Sequence, residues 1–103
     1  MPEVTVTRND VLRRYEVHAG GELAGFARFT SRLRDGSEVI TFTHTETLPE
    51  FAGQGMGLAL AKAAVADAVG KNLVIVPACP FFQRYLRRNE IEGATIEWPA
   101  DAE

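Results

Sequence analysis

The feature that most constrains the fold is a change of pattern in the middle of the chain. The segment EVITFTHTE alternates, which predicts a strand with Ile40, Phe42 and His44 on one face. From residue 55 to residue 69, apolar residues recur instead at helical spacing, and Gly70 follows as a natural stop. The joining segment FAGQGMG has a glycine at every second position. Glycine costs about 1 kcal/mol relative to alanine inside a helix, so this spacing indicates backbone that a ligand must approach closely.

The segments on either side of this unit predict the remaining elements. Short β-rich runs fill the first part of the chain, with turn signals at Gly20-Gly21 and Asp35-Gly36. The wholly apolar run 73–76 is typical of a buried strand beside a parallel neighbour. A second helix over 81–88 and a last short strand within 94–98 follow. The order predicts an α+β (mixed α/β) fold, with N-terminal antiparallel strands and then β-α-β-α around a mixed sheet.

Composition limits the class of protein. The chain has 103 residues, which suits one domain spanning residues 1–103. Its formal charge of −3, from 11 Lys and Arg against 14 Asp and Glu, argues against a nucleic-acid partner. The lone Cys79 excludes an internal disulfide and suits a reducing compartment. No signal peptide or bilayer-length apolar stretch is present in the sequence, so we expect a cytoplasmic protein without a membrane partner.

The glycine segment leads from a strand into a helix N-terminus, which is a ready anion site. Free N–H groups of the first helical turn and the helix dipole both favour a phosphate there. The P-loop pattern GxxxxGK[ST] is absent, so that class of nucleotide site is unsupported. The alternative is a plain helix start, with small residues that serve close packing. No group of His, Cys, Asp and Glu has metal-ligand spacing, so no metal site is predicted.

His44 and Cys79, on either side of the glycine segment in the sequence, are candidate reactive residues. Cys79 lies at the predicted N-cap of the second helix, where the dipole and free N–H groups favour a thiolate. The alternative is a buried small hydrophobic residue, the commonest fate of a free cysteine. His44 lies near the end of the strand before the glycines and could act as a general base. Its alternative is simple packing on an apolar face. His44 and Cys79 could also form a base–nucleophile pair if the fold brings them together.

The segment FAGQGMGLALAKAAV resembles the acyl-CoA pyrophosphate loop of the GNAT superfamily of N-acetyltransferases, which has the pattern Gln/Arg-x-x-Gly-x-Gly/Ala. On this chain the loop runs from Ala52 to Gly57, and Ala52 stands where the family usually has Arg or Gln. The segments FTHTETLPEFAGQGMG and VIVPACPFFQRYLRR are similar to the very short GNAT-like proteins of the YjdJ type, over residues 40–88. The resemblance implies a GNAT-like fold and acetyl-CoA as the cofactor. We expect its binding residues to be Thr47, Gly53, Gln54, Gly55, Met56, Gly57 and Leu58.

The resemblance also implies catalytic residues. A histidine at the end of the strand before the loop and a cysteine before the last helix are suspected reaction-centre residues in the short proteins, and they correspond to His44 and Cys79. Tyr85 matches the tyrosine that larger GNAT enzymes use to protonate the departing CoA thiolate, although amphipathic packing also explains it. The predicted function is transfer of an acetyl group from acetyl-CoA to an unknown amine, by a monomer or homodimer. The alternative is a CoA-binding or regulatory module without significant turnover.

Overall fold

A computed structural model describes residues 3–100 of the chain. Its elements are β1 (Val4–Asn9), β2 (Arg14–Ala19), β3 (Glu22–Arg34), β4 (Ser37–Thr47), α1 (Met56–Gly70), β5 (Val74–Pro77), α2 (Pro80–Arg88) and β6 (Thr95–Ile96). The six strands form one sheet in sequence order. The first four pair antiparallel, whereas β5 is parallel to β4 and β6 is parallel to β5. The predicted α+β architecture with a mixed sheet is therefore confirmed.

The turn between β3 and β4 follows the chemistry expected of its sequence. Asp35 has a φ of 53° and Gly36 a φ of 82°. Two consecutive residues with positive φ form the turn whose twist matches that of a tight hairpin. The predicted hairpin at Asp35-Gly36 is confirmed, and it fixes the register of the two longest strands.

Helix α1 begins and ends one residue later than the spacing predicted. Its buried residues are Met56, Leu60, Ala61, Ala64, Val65 and Ala68. Gly70 is the last residue of the helix rather than the residue after it, and the Lys71 N–H donates to the Asp67 carbonyl. The helical spacing predicts Gly57 as the first member of the buried face, followed by the last five of these buried residues. The structure confirms those five and has Met56 as the first member, because the helix begins there and buries that side chain.

Both helices pack on one face of the sheet. The ring of Phe82 in α2 stacks on Phe42 of β4, with centroids 4.2 Å apart and planes 10° apart. The hydroxyl of Tyr15 in β2 donates a 2.6 Å hydrogen bond to Asp67 Oδ2 of α1. The Tyr15 and Phe42 rings themselves lie 6.0 Å apart. Tyr15, Phe42 and Phe82 belong to the main core cluster, which lies between this face and the two helices.

The opposite face of the sheet carries mostly polar side chains. No helix packs on it within residues 3–100, and Arg28, His44 and Glu46 there are exposed. Phe26 and Val39 are buried, yet both lie outside the main core cluster. This face is therefore solvated and covers its few apolar residues with its own long side chains.

An irregularity in β4 overturns the predicted position of His44. Phe29 pairs with Phe42, but the preceding Arg28 pairs with His44, so Thr43 is an extra residue in β4. Such a bulge reverses the inward and outward alternation beyond it. The prediction that His44 shares the face of Ile40 and Phe42 is wrong, because His44 follows the bulge and lies on the opposite face.

The helices are short. None within the described residues is long and apolar enough to cross a membrane.

Candidate functional site

The glycine segment between β4 and α1 contains two residues with left-handed backbone. Gly53 has a φ of +78° and Gly55, the N-cap of α1, has a φ of +80°. A Cβ on either residue would meet no atom within 4 Å, so the backbone at this point borders open space. Conformation thus requires both glycines, since L-residues with side chains rarely adopt such φ values.

Gly57 has a different reason to be glycine. It lies in the first turn of α1, and a Cβ there would lie 2.9 Å from Cζ and 3.2 Å from Cε2 of the Phe81 ring in α2. The contact brings the start of α1 against α2. Two glycines therefore shape the loop, and the third permits helix–helix packing, as the plain packing interpretation required.

The start of α1 leaves backbone donors free. The first N–H groups of an α-helix, here those of residues 56–58, have no intrahelical acceptor. No side chain caps this end, and the first intrahelical bond runs from the Ala59 N–H to the Gly55 carbonyl. Partial positive charge and free donors therefore face the open space beside Gly53 and Gly55, which is an arrangement that binds anions.

The other predicted cofactor residues contribute in different ways. Gln54 is exposed and donates its side-chain Nε2–H to the Glu50 carbonyl at 3.4 Å. The Met56 side chain is 6% exposed and packs in the core, so only its backbone is available to a ligand. Leu58 is 56% exposed beside α2. Thr47 is half-buried at the end of β4, opposite Gly25 of β3.

Strand β4 has an open edge immediately before the glycine segment. It pairs with β5 only as far as Phe42 and Pro77, whereas it pairs with β3 as far as Thr47. The Ala78 and Cys79 N–H groups both donate to the Phe42 carbonyl, at 3.0 and 2.8 Å, as the chain turns away into α2. Residues 43–47 are therefore free to pair with an extended ligand on the β5 side.

Cys79 is the N-cap of α2, as predicted, and its side chain is 4% exposed. Its Sγ shares a hydrogen bond with Thr45 Oγ1 at 3.4 Å. The bulge at Thr43 turns Thr45 towards α2 and His44 away from it. The structure therefore brings Thr45, and not His44, into contact with the thiol.

His44 is exposed and has a carboxylate partner on its own strand. Its Nε2 lies 3.2 Å from Oε1 of Glu46. A carboxylate only accepts hydrogen bonds, so this contact assigns the ring proton of neutral His44 to Nε2 and leaves Nδ1 free to accept a proton. The contact with Glu46 therefore restricts the orientation of the His44 ring.

Tyr85 lines an open groove of about 140 Å³ between the start of α1 and the outer side of α2. The other lining residues are Leu58, Phe81, Arg84, Arg88 and Asn89. The Tyr85 hydroxyl makes no hydrogen bond with any residue in the range 3–100, although Asn89 donates its N–H and Nδ2–H to the Tyr85 carbonyl. The groove adjoins the glycine segment through Leu58 and presents two guanidinium groups beside an aromatic ring.

The strongest pKa perturbations lie away from this groove, at the contact that joins α1 to β2. Burial and the hydrogen bond to Asp67 raise the pKa of Tyr15 above its usual range. Burial also acts to raise the pKa of Asp67, but the hydrogen bonds from Tyr15 and Lys71 outweigh it and lower that pKa. Arg8 lies 6.0 Å from the Tyr15 ring and adds positive charge to the cluster. These groups hold α1, the helix that follows the glycine segment, against strand β2.

Sequence reasoning missed Thr45 and Glu46, the two partners of the predicted residues. Both follow His44 in the chain, and their roles depend on which face each occupies. Alternation alone assigned those faces in the reverse order, and the sequence carries no signal for the bulge. No group of three or more His, Cys, Asp and Glu side chains within the described part of the chain could hold a metal ion.

The described residues thus combine a meander of antiparallel strands, a parallel strand whose pairing with β4 ends at Pro77, and a glycine loop at a helix N-terminus. Residues 14–95 match the family described as GCN5-related N-acetyl-transferase. The chain therefore belongs to the GCN5-related N-acetyltransferase family, the GNAT family that its loop resembles. This match does not test the YjdJ subtype, which stays a prediction. No curated protein matches the sequence.

Solved acetyltransferases share the fold at low identity. The ribosomal-protein-alanine N-acetyltransferase from Brucella melitensis biovar Abortus 2308 is 17% identical over 73% of this chain and 59% of its own, with a TM-score of 0.59. An aminoglycoside acetyltransferase from an uncultured soil metagenomic sample is 9% identical over 76% of this chain and 56% of its own, with a TM-score of 0.60. The chain thus spans little more than half the length of these proteins, and the likeness concerns the fold.

Proposed function

We propose that the protein is a small N-acetyltransferase that moves an acetyl group from acetyl-CoA to an amine, with residues 1–103 as one GNAT-like domain. The observation that carries the proposal is the open edge of β4 at residues 43–47, which leads directly to the uncapped N-terminus of α1. Together they offer backbone partners for an extended chain and then donors for a phosphate.

The residues present fit acetyl-CoA. Open space at Gly53 and Gly55 admits a pyrophosphate to the backbone N–H groups of residues 55–58. Ala52 provides no side chain for that contact, so the backbone alone holds this part of the cofactor. Arg84 and Arg88 in the adjoining groove would supply positive charge for the phosphate of acetyl-CoA that is not part of the pyrophosphate. The half-buried Thr47 ends the open edge of β4, which would pair with the pantetheine arm.

The cofactor supplies an acetyl thioester, and the chain supplies the proton transfers. We assign His44 Nδ1 as the base that takes a proton from the attacking amine, with Glu46 as the residue that orients it. The amine nitrogen forms a bond to the acetyl carbon while the carbon–sulfur bond breaks. Tyr85 provides a proton for the departing sulfur, as the family resemblance implies.

We assign Cys79 to the wall of the thioester site rather than to an acyl-accepting role. Its side chain is 4% exposed, it shares a hydrogen bond with Thr45, and the bulge directs His44 to the other face. A base–nucleophile pair requires the two side chains to be within hydrogen-bond reach. Direct transfer from the thioester to the amine follows. The free thiol suits a cytoplasmic setting. The proposal includes neither a nucleic acid nor a membrane as a partner. The working unit is a monomer or a homodimer.

Calorimetric titration with acetyl-CoA tests the cofactor. The wild-type protein is expected to bind with micromolar affinity, and Gly55→Glu is expected to lose binding because a carboxylate would occupy the anion site. Gly36→Glu is the matched control, since Gly36 also has a positive φ and an open Cβ position but lies in the distant β3–β4 turn. Absence of heat in all three proteins would refute the proposal. Binding without transfer to any amine would identify a CoA-binding module instead.

A further inference from the structure

On the sheet face opposite the helices, six side chains of β2, β3 and β4 form two adjacent rows. One row runs from Arg14 through Arg28 to His44, and the next runs from Glu16 through Phe26 to Glu46. We call these six residues the open face. Directly opposite residues on neighbouring strands have Cβ atoms about 4.5–5.5 Å apart, so Arg28 is the immediate neighbour of His44.

The ion pairs of the open face leave one cation without a carboxylate. Arg14 Nε pairs with Glu16 at 2.8 Å, and both side chains are largely buried. His44 lies beside Glu46, and both side chains are about half exposed. Arg28 is exposed and forms no salt bridge with any residue in the range 3–100.

Phe26 holds the Arg28 guanidinium group in position. The guanidinium carbon lies 5.3 Å from the centre of the Phe26 ring, within the range of a cation–π contact. The guanidinium carbon of Arg14, in the neighbouring strand β2, lies 4.7 Å from the centre of the same ring. A guanidinium group that rests on a ring still presents its fork of N–H donors, which matches the two oxygens of a carboxylate.

We propose that the amine acceptor is a small amino acid whose carboxylate is bound by Arg28 while its amine lies beside His44 and Glu46. This deepens the proposed function and rests on it. Glu46 attracts the ammonium form and His44 removes its proton, one strand spacing from the cation that binds the carboxylate. Because Arg28 and His44 are directly paired across β3 and β4, the pair suits an acceptor in which few atoms separate the two charged groups.

Initial rates of acetyl transfer test the proposal, with glycine and β-alanine compared with their primary amides. The amides have less basic amines and a larger unprotonated fraction, so chemistry alone favours them. The wild-type enzyme is expected to prefer the carboxylates, and Arg28→Gln to reduce kcat/KM for them by about 10- to 100-fold, the effect of losing a charge-assisted hydrogen bond. Arg32→Gln is the matched control, because Arg32 is exposed on the same strand and face. Equal use of acids and amides by the wild type would overturn the proposal.

A second measurement does not depend on transfer. Titration of the protein with β-alanine, followed by the NMR signals of the Arg28 Nε–H and the His44 ring, is expected to shift both, whereas β-alaninamide leaves Arg28 unchanged. Absence of the Arg28 shift would overturn the acceptor assignment even in an active enzyme. Absence of acetyl-CoA binding by the wild type would refute the proposed function and the acceptor assignment with it, whereas acetyl-CoA binding without the Arg28 shift would refute the acceptor assignment alone. Arg28→Gln is expected to bind acetyl-CoA as the wild type does.

Discussion

The hydrogen bond between Tyr15 and Asp67 provides a quantitative test of how α1 is held on the sheet. Tyr15→Phe removes only the hydroxyl, since the ring keeps its neighbours Phe29 and Phe42 at 5.6 and 6.0 Å. A hydrogen bond to a charged group contributes about 1.5–3 kcal/mol. The Asp67 side chain is 34% exposed and keeps Lys71 as a partner, so water and Lys71 replace part of the loss.

We therefore expect Tyr15→Phe to lower the free energy of unfolding by about 1–2 kcal/mol at pH 7. In a chain of this size that corresponds to a melting temperature lower by roughly 5–15 °C. Urea denaturation followed by circular dichroism measures the difference. Tyr85→Phe is the matched control, because the Tyr85 hydroxyl has no hydrogen-bond partner within residues 3–100. The unfolding free energy of this variant should equal that of the wild type.

The effect of Tyr15→Phe should depend on pH in a defined direction. The folded state lowers the pKa of Asp67 from an ordinary value of 3.8, so the stability from this group is present above that value and is lost as pH falls through the lower, folded pKa. The folded state raises the pKa of Tyr15 from 10.0, so its contribution is complete below pH 10.0 and declines at higher pH. A difference between wild type and Tyr15→Phe that is absent at pH 7, or that does not decrease as pH falls through the lowered pKa of Asp67, would refute this reasoning.

Two further predictions concern the start of α1 and the groove beside it. Gly57→Ala should lower the free energy of unfolding by about 1 kcal/mol, because overpacking against Phe81 costs about 1–3 kcal/mol and the gain in helix propensity is about 1 kcal/mol. A Cβ at Gly70, in the same helix, would meet no atom within 4 Å, so Gly70→Ala should stabilise the protein. Equal chemical denaturation midpoints for the two variants would contradict the packing role of Gly57. Arg84→Gln should weaken acetyl-CoA binding about 5- to 10-fold with a reduced dependence on salt. Arg87→Gln should leave the affinity unchanged because Arg87 lies over Trp98, outside the groove, and calorimetry that gives equal losses for both would argue against the groove.

Much of the fold could be predicted from local patterns. The turn at Asp35-Gly36, the helical face of α1 and the parallel pairing of β5 all follow from short-range sequence signals, and the structure confirms them. The predicted burial of the whole strand holds for only two of its four residues, Ile75 and Pro77. The second helix, predicted over 81–88 and observed over Pro80–Arg88, and Cys79 as its N-cap were also predictable, because helix ends have local signatures. These features depend on residues that are close together in the chain.

The candidate site was only partly predictable. The glycine segment and its resemblance to the GNAT loop indicated where a cofactor binds, but not that Gly57 packs against Phe81. Likewise, the position of His44 was assigned from strict alternation, which fails where β4 contains an extra residue. Which residue is the extra one depends on how β4 pairs with β3, and the hydrogen bond from Thr43 to the Arg28 carbonyl at this point joins residues 15 positions apart, beyond the range of local patterns.

Periodicity, turn chemistry and short motifs predict the order of the elements, the hairpin at Asp35-Gly36, the parallel crossover and the resemblance to a family with a glycine loop at a helix N-terminus. Strand pairing, in contrast, places His44 on the open face beside Arg28 and Thr45 against Cys79. The reason is physical: the face of a strand residue is set by its pairing with neighbouring strands, and one bulge reverses every face beyond it.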